Sequence, residues 1–292
     1  MTFDFGSFNM WGKLERVALR RPAIAFASDA KLDAEWQPLN YHSRPDLTVA
    51  NREYEVFEKI LSDAGVGAIP LEGGEGLTLD SLYTHDALIV TPRGLVLPNM
   101  GKPARRGEAR VNSAHLAKLG FPVIGEIAAP GKIEGGDLVW IDRNTLIAGI
   151  GYRTNDEGVA QLRKLAGSDV DIISVDLPHY KGRSDVFHLM SVLSPVDHDL
   201  AVVHLPLMPV RLVEFLESRG FKFVDVPDGE FDSMGCNVLA LGPRHATMVS
   251  GNRETERRMR AAGIRVDVFD GFEICRKGEG GPTCMTRPLV RR

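Results

Sequence analysis

The sequence predicts an α/β protein built from five repeated units around a pseudo-fivefold axis. Residues with chemically active side chains recur at nearly equal intervals along the chain, at Asp86, Asp137, His188, Cys236 and Cys284. A period of about 50 residues is typical of a repeat array or a closed ring. Each of the first four units has the pattern of a hairpin, a helix and a strand. The helices argue against an all-β propeller of similar period.

The chain begins with a unit of its own. Residues 15–21 read as a strand that ends at Pro22, and residues 22–46 are irregular and rich in Asp, Pro and Ser. We predict a long surface loop there and a candidate lid, because loops of this length are usually functional. Apolar residues at helical spacing predict a helix over 51–64, followed by a strand over 66–71.

The repeated units then follow in order. We predict hairpins at 87–97, 138–150, 188–204 and 236–249, helices at 109–119, 156–166, 210–218 and 253–262, and strands at 123–127, 171–176, 222–226 and 264–269. Cys284 opens a fifth unit that the C-terminus cuts short. The pattern continues without an inserted domain, so we predict a single catalytic domain over residues 1–292.

Composition excludes several classes of function. The net charge of −4 gives no reason to expect nucleic acid or an anionic membrane as a partner. No apolar run is long enough to span a bilayer, and the N-terminus lacks the features of a signal peptide. Three cysteines are too few for a disulfide scaffold and indicate a reducing compartment. We therefore expect a cytoplasmic protein, and homo-oligomer formation stays open.

Sequence motifs for metals and cofactors are also missing. The chain has no CxxC or HExxH pattern, which are the usual signals for zinc. It has neither a GxGxxG fingerprint nor a Walker motif for nucleotide phosphates. We expect no metal and no cofactor.

A closed ring would bring the first residues of successive units together at its axis. Alone, Cys284 reads as a small buried thiol and His188 as a core histidine, because both residue types are often buried. Their shared place in the repeat favours a different interpretation. A thiol, an imidazole and several carboxylates at one site form the constellation of nucleophilic catalysis.

The carboxylates indicate what this site binds. Glu134 and Asp137 flank two glycines, and Asp80 and Asp86 lie close together in another segment. Acids around a cysteine and a histidine suit a planar cation with many N–H donors, such as a guanidinium or an amidinium. The arginines in segments 103–108 and 152–155 are either solvated surface charges or ligands for the carboxylate of an amino-acid substrate.

These motifs together resemble a known superfamily. The motifs are Asp80, 84–87 (THDA), 105–108 (RRGE), 134–137 (EGGD), 153–155 (RTN), 188–189 (HL), Asn237 and 280–284 (GGPTC). From about residue 14 to the C-terminus, the chain resembles the guanidino-modifying hydrolases and transferases, which are five-bladed α/β propellers called penteins. It is most similar to dimethylarginine dimethylaminohydrolase and arginine deiminase.

The resemblance implies a role for each residue and no cofactor. It implies a covalent mechanism with Cys284 as nucleophile, His188 as general acid and base, and Glu134 as their acidic partner. The expected ligands of the substrate are Asp80, Asp86 and Asp137 for the guanidino group and Arg106 and Arg153 for a carboxylate.

We expect a hydrolase that releases an amine from a substituted guanidine, for example dimethylamine and citrulline from dimethylarginine. Alternatives are an arginine deiminase, a hydrolase of another amidine or a nitro-substituted substrate, an amidinotransferase and a non-catalytic cation-binding module. His85 stands where a Glu or Arg usually precedes the Asp, so the leaving group stays open between dimethylamine, ammonia and nitrite.

Overall fold

The computed structural model describes residues 5–185 and 187–292. Its strands are β1 Leu14–Leu19, β2 Gly67–Pro70, β3 Ile89–Thr91, β4 Gly94–Leu97, β5 Val123–Glu126, β6 Leu138–Asp142, β7 Thr145–Ile150, β8 Asp171–Asp176, β9 Leu193–Asp197, β10 Leu200–Val203, β11 Lys222–Asp225, β12 Leu239–Gly242, β13 His245–Val249, β14 Arg265–Phe269 and β15 Arg287–Arg291. Its α-helices are α1 Pro22–Ala25, α2 Asp29–Glu35, α3 Leu47–Asp63, α4 Glu108–Lys118, α5 Asp156–Ala166, α6 Val210–Ser218, α7 Asp228–Phe231 and α8 Arg253–Ala261.

The strands form five small sheets of three strands each within these ranges, which confirms the predicted fold class. The sheet orders are β3-β4-β5, β6-β7-β8, β11-β10-β9, β12-β13-β14 and β15-β1-β2. Each sheet, or blade, contains one antiparallel pair and one parallel pair. A helix connects the two parallel strands, as a parallel crossover requires.

The fifth blade corrects the prediction of a truncated unit. Strand β15 pairs antiparallel with β1, with Val17 opposite Pro288. Strand β1 in turn pairs parallel with β2, with Val17 opposite Ala68. The two ends of the chain therefore complete one blade, and α3 is its crossover helix.

The predicted loop over 22–46 is also wrong in its first half, which forms α1 and α2. Pro22 occupies the first turn of α1, where its missing N–H costs nothing. The Ser28 side chain caps α2 by accepting a hydrogen bond from the Lys31 backbone N–H. Phe26 and Leu32 are buried. Residues 36–46, between α2 and α3, remain without an α-helix or strand.

Apolar faces hold the crossover helices against the blades. Helix α3 buries Tyr54, Phe57 and Leu61 at helical spacing. Strands β9 and β10 are buried along their whole length. Burial of one such Leu or Phe side chain stabilises the fold by roughly 1.5–3 kcal/mol. Within the part of the chain that the structure describes, every helix is too short or too polar to cross a bilayer.

The blades meet at a central hub. It is formed by the segments that precede β3, β6, β9, β12 and β15. At least one hydrogen bond at the hub joins each pair of neighbouring blades around the ring. In order, these bonds are His85 N to Cys284 O (3.0 Å), Gly135 N to Asp86 O (3.0 Å), Leu189 N to Asp137 Oδ1 (3.1 Å), Ser194 Oγ to Cys236 O (2.7 Å) and Thr283 N to Asn237 Oδ1 (3.1 Å). The hub therefore positions residues that come from distant parts of the sequence.

Candidate active site

Cys284 lies half-buried at the hub, in the segment that leads into β15. The Asn237 amide donates a hydrogen bond to the Cys284 Sγ at 3.1 Å. The Asn237 Oδ1 accepts from both the backbone N–H and the hydroxyl of Thr283, at 3.1 and 2.6 Å. Gly281 packs so closely on Asn237 that a Cβ would not fit. Burial and the Asp86 carboxylate raise the pKa of the Cys284 thiol, so it is protonated at neutral pH without a ligand.

His188 and Glu134 form a buried pair at the same place. The His188 Nε2 lies 2.8 Å from the Glu134 Oε2. Burial alone would lower the pKa of His188, but the carboxylates of Asp86, Asp137 and Glu134 raise it to about 9. Burial alone would raise the pKa of Glu134, but its bond to His188 and the charge of Arg153 hold it below the usual value. At neutral pH the pair is an imidazolium and a carboxylate.

Asp86 lies on the other edge of the His188 ring. Its Oδ1 is 3.9 Å from the His188 Nδ1 and accepts a hydrogen bond from the Gly136 N–H at 2.9 Å. Its Oδ2 is 2.6 Å from the Arg105 Nη1. Although burial opposes ionisation, His188 and Arg105 lower the pKa of Asp86 and keep it charged.

The two glycines between Glu134 and Asp137 are required by space. A Cβ on Gly136 would lie 2.6 Å from the His188 Nδ1 and 2.7 Å from the Asp86 Oδ1. A Cβ on Gly135 would collide with the His85 carbonyl oxygen. The motif therefore brings the backbone against the imidazole and carries the Glu134 carboxylate to it.

Asp137 is placed differently from Glu134. It is fully buried and accepts a hydrogen bond from the Leu189 N–H at 3.1 Å. Burial raises its pKa to about 6. It lines neither of the two cavities described below. Its position supports the turn behind His188 rather than contact with a ligand.

The arginines also separate into different environments. Arg106 is exposed and lines neither cavity, so the structure does not bring it to the hub. Its neighbour Arg105 is buried and forms ion pairs with Asp86 and Glu108 at 2.6 and 2.9 Å. Arg153 is buried and lies 3.2 Å from the Glu134 Oε2.

Two cavities meet at the reactive groups, and Asp86, His188, Glu279 and Cys284 line both. The charged cavity is further lined by Asp80, Lys102, Arg105 and Arg153. The apolar cavity is further lined by Phe187, Met190, Phe231 and Met234. In the charged cavity, Lys102 pairs with Asp80 at 2.6 Å.

The segment 36–46 covers one side of the charged cavity. Leu39 and Asn40 line it, and the Lys102 Nζ donates to the Leu39 carbonyl at 3.1 Å. The His42 backbone N–H donates to the Lys277 carbonyl at 2.8 Å, and the His42 ring lies 3.0 Å from Glu279. This cover therefore contacts the loop that leads to the candidate nucleophile.

Ligand atoms of Asp86, Glu134 and His188 lie within 4.8 Å of one another, which is close enough for a metal ion. A metal needs the neutral imidazole, whereas the raised pKa of His188 favours the protonated form that has no free lone pair. Both carboxylates also pair with arginines. The residues present do not fit a metal, and the absence of one stays our prediction.

Sequence reasoning named most of these residues but gave no role to Asn237 or Lys102, and between Arg105 and Arg106 it selected Arg106. Asn237 is visible in the sequence only as one position of a motif, and its contact with Cys284 depends on the meeting of two blades. His85 stands out in the sequence as unusual, and the structure shows its ring buried at the wall of the apolar cavity.

Comparisons with known proteins give the family and the fold of this chain. The family model described as arginine deiminase matches residues 80–218 and 208–291. An arginine deiminase of Listeria monocytogenes is 26% identical, over 84% of this chain and 73% of its own. The N(G),N(G)-dimethylarginine dimethylaminohydrolase of Pseudomonas aeruginosa is 26% identical, over 83% of this chain and 89% of its own. A solved structure of the Pseudomonas aeruginosa enzyme complexed with citrulline superimposes with a TM-score of 0.76 at 22% identity, covering 95% of this chain and 100% of that one.

Proposed function

Because this chain belongs to the arginine deiminase family, we propose that it is a hydrolase that attacks a guanidino carbon with Cys284. The overall reaction consumes a guanidinium and water, and it yields a urea and a protonated amine. The observation that carries the proposal is the convergence of Cys284, His188 and Asp86 at the wall of two adjacent cavities, with the Glu134 carboxylate buried against His188. Our leading example is dimethylarginine, which would give citrulline and dimethylamine.

The position of the Asp86 carboxylate, which lines both cavities beside Cys284, supports a cationic substrate. Asp80, Asp86, Glu108 and Glu134 are each paired with a cation that lies in the same cluster. The carboxylates of Asp86 and Glu134 balance the positive charge of protonated His188. Asp86 also lines both cavities, beside Cys284. A planar guanidinium can donate paired N–H bonds to a carboxylate such as Asp86.

The bound cation activates the thiol in this proposal. Without a ligand, burial and Asp86 hold the pKa of Cys284 above its ordinary value. A guanidinium near the sulfur offsets the charge of Asp86 and favours the thiolate, and the thiol proton passes to solvent. The Sγ then bonds to the guanidino carbon and forms a neutral tetrahedral adduct.

His188 next acts as the acid. With a pKa of about 9, its imidazolium is available at neutral pH. It gives its proton to the departing nitrogen, the carbon–nitrogen bond breaks, and a thiouronium remains on Cys284. The neutral imidazole then takes a proton from water as the water oxygen bonds to the same carbon. Collapse of that adduct releases the urea and restores the thiol.

The family also contains enzymes that release ammonia, so the leaving group must be read directly. Purified protein is incubated with arginine, dimethylarginine, nitroarginine and simple guanidines, and ammonia, dimethylamine and nitrite are measured separately. The same incubation with glycine as acceptor tests transfer of the amidino group. Transfer products instead of ureas would replace the hydrolase by an amidinotransferase.

The nucleophile is tested by Cys284→Ser, with Cys275→Ala as the matched control. Cys275 is buried and lines neither cavity. We expect Cys284→Ser to abolish amine release and Cys275→Ala to retain it, with both variants folded by circular dichroism. Chloroacetamidine should add mass to wild type at Cys284 only. An active serine variant would refute the assignment, and ligand binding without any product would favour a non-catalytic module.

Of the proposed contacts, the one between the protein and a substrate carboxylate is the least constrained by the structure. Arg153 and Arg105 line the charged cavity and are our candidates for it, but each is already paired with a carboxylate of the protein. An amino-acid substrate would have to share one of these cations. The proposed chemistry at the guanidino carbon does not depend on that contact.

A further inference from the structure

The apolar cavity adjoins Cys284 and His188. A leaving group as small as dimethylamine or ammonia would not need this cavity. Its wall includes Phe187, Met190, Phe231 and Met234, and it contains the same Cys284 as the charged cavity. Cavities that take small molecules are typically apolar with a few placed polar groups. Dimethylamine or ammonia presents little apolar surface to such a wall.

The aromatic part of this wall is held in place by its own packing. The Tyr180 ring lies 5.7 Å from the Phe187 ring and 5.7 Å from the Phe231 ring. Phe231 also stacks on His204 at 4.2 Å. The Tyr180 hydroxyl donates to Asp232 at 3.2 Å. A wall that is already ordered loses little conformational entropy when a ligand packs on it.

Charge separates the two cavities further. Within residues 5–185 and 187–292, one lysine and no arginine line the apolar cavity. This residue is Lys181, which pairs with Asp232 at 2.8 Å. Apart from His188, the other charged residues that line this cavity are acids. An anionic substituent therefore meets like charge here, whereas an uncharged one does not.

His85 is one of the polar residues in the wall of this cavity. Its Nδ1 lies 2.8 Å from the Thr286 carbonyl oxygen, so the Nδ1 carries the proton and the Nε2 is left as an acceptor. The ring is buried, and the Nε2 has no hydrogen-bond partner in the described part of the chain. A buried acceptor without a donor is costly, and this one is closed off from the cavity, so a bound ligand does not reach it.

From these observations we propose that the substrate is a guanidine or amidine that carries an uncharged alkyl or aryl substituent larger than a methyl group, which packs in the apolar cavity. In this proposal the guanidinium plane stays on Asp86 beside Cys284. This inference rests on the proposed function, because it places the reacting carbon at Cys284.

The test compares N-(2-phenylethyl)guanidine with methylguanidine by the rate at which each is consumed. We expect the kcat/KM for the phenylethyl compound to be about ten- to a hundredfold higher, from the burial of one phenyl group. Phe231→Ser should reduce this ratio by about fivefold or more. Phe223→Ser, in a half-buried phenylalanine that lines neither cavity, should leave the ratio unchanged. A wild-type ratio near one, or equal effects of the two serine variants, would overturn the inference.

Binding provides a readout that needs no turnover. Calorimetric titration of the Cys284→Ser protein, with and without Phe231→Ser, measures the same preference as a ratio of dissociation constants. Loss of all turnover with the binding preference intact would reject the proposed function and leave the apolar cavity as a substituent site. Turnover without preference in either readout would reject the inference and leave the hydrolase.

Discussion

Replacement of Glu134 by glutamine tests the electrostatic argument at its centre. The change removes one negative charge 2.8 Å from the His188 Nε2 and keeps the size of the side chain. A pKa of about 9, against 6.5 for an ordinary histidine, means that the hub favours the imidazolium by about 3 kcal/mol. Glu134 shares this effect with Asp86 and Asp137. Loss of one close opposite charge should lower the pKa of His188 by about one to three pH units.

Activity should report this change through its pH profile. The proposed mechanism needs the Cys284 thiolate, which limits the rate at low pH, and the His188 imidazolium, which limits it at high pH. With substrate bound, the cation favours the Cys284 thiolate, so the high-pH limb of kcat reports His188. In Glu134→Gln, this limb of kcat should move toward neutral pH and the maximum should fall. The profile is measured with whichever guanidine is consumed fastest, and the His188 pKa is measured independently by NMR titration of the labelled imidazole.

The His188–Glu134 pair should also make the free energy of unfolding depend on pH in a defined direction. Because the folded pKa of His188 is raised, its contribution is complete below pH 6.5 and is lost as pH rises through about 9. Because the folded pKa of Glu134 is lowered, its contribution is present above its ordinary value of 4.5 and is lost at lower pH. Urea unfolding should therefore give the largest difference between wild type and variant between about pH 4.5 and 6.5.

Glu126→Gln is the matched control, since Glu126 is exposed and pairs only loosely with Arg110 at 3.4 Å. It should change neither the pH profile nor the stability curve beyond about 0.5 kcal/mol. An unchanged pKa of His188 in Glu134→Gln would refute the reasoning, since a buried neighbouring charge would then have no effect on the imidazole.

Two further changes separate neighbouring positions. Arg105→Ala leaves the buried carboxylates of Asp86 and Glu108 without their partner and should lower the free energy of unfolding by about 3–5 kcal/mol. Arg106→Ala, at an exposed position, should change it by less than about 0.5 kcal/mol, and equal effects in urea unfolding would contradict the assignment. Gly136→Ala forces a methyl group against His188 and Asp86 and should reduce kcat by about a hundredfold. Gly229→Ala, where no atom lies within 4 Å of the added Cβ, should retain the wild-type kcat.

The repeat is readable from the sequence because each blade solves the same packing problem. Hairpin, crossover helix and parallel strand recur with a nearly constant period, and the elements after residue 86 lie close to their predicted bounds. Periodicity along the chain cannot show pairing between its ends. The partner of β15 is β1, at the opposite end of the chain, so the sequence makes the fifth blade look truncated.

Local signals were missed in the segment 22–46. Pro22 and Ser28 suggest a loop, although a proline at N1 and a serine at the N-cap are also helix starts. Phe26 and Leu32 are buried in the structure, and no short-range pattern contains that information.

The candidate site also contains residues that the repeat period predicts and residues that it cannot predict. The period brings Cys284, His188 and Glu134 together, because it places them at the starts of blades. It cannot separate Arg105 from Arg106, since adjacent residues differ only in the direction of their side chains. It also cannot show that Asp137 faces Leu189 instead of a cavity.

The pairing of β1 with β15 has a consequence for synthesis on the ribosome. Residues 14–19 are translated long before residues 287–291, which form the strand that protects their open edge. Until then the nascent chain carries an unpaired strand edge, which invites association with other chains. The cysteine that would do the chemistry lies just before β15, so its surroundings are completed only when this strand pairs with β1.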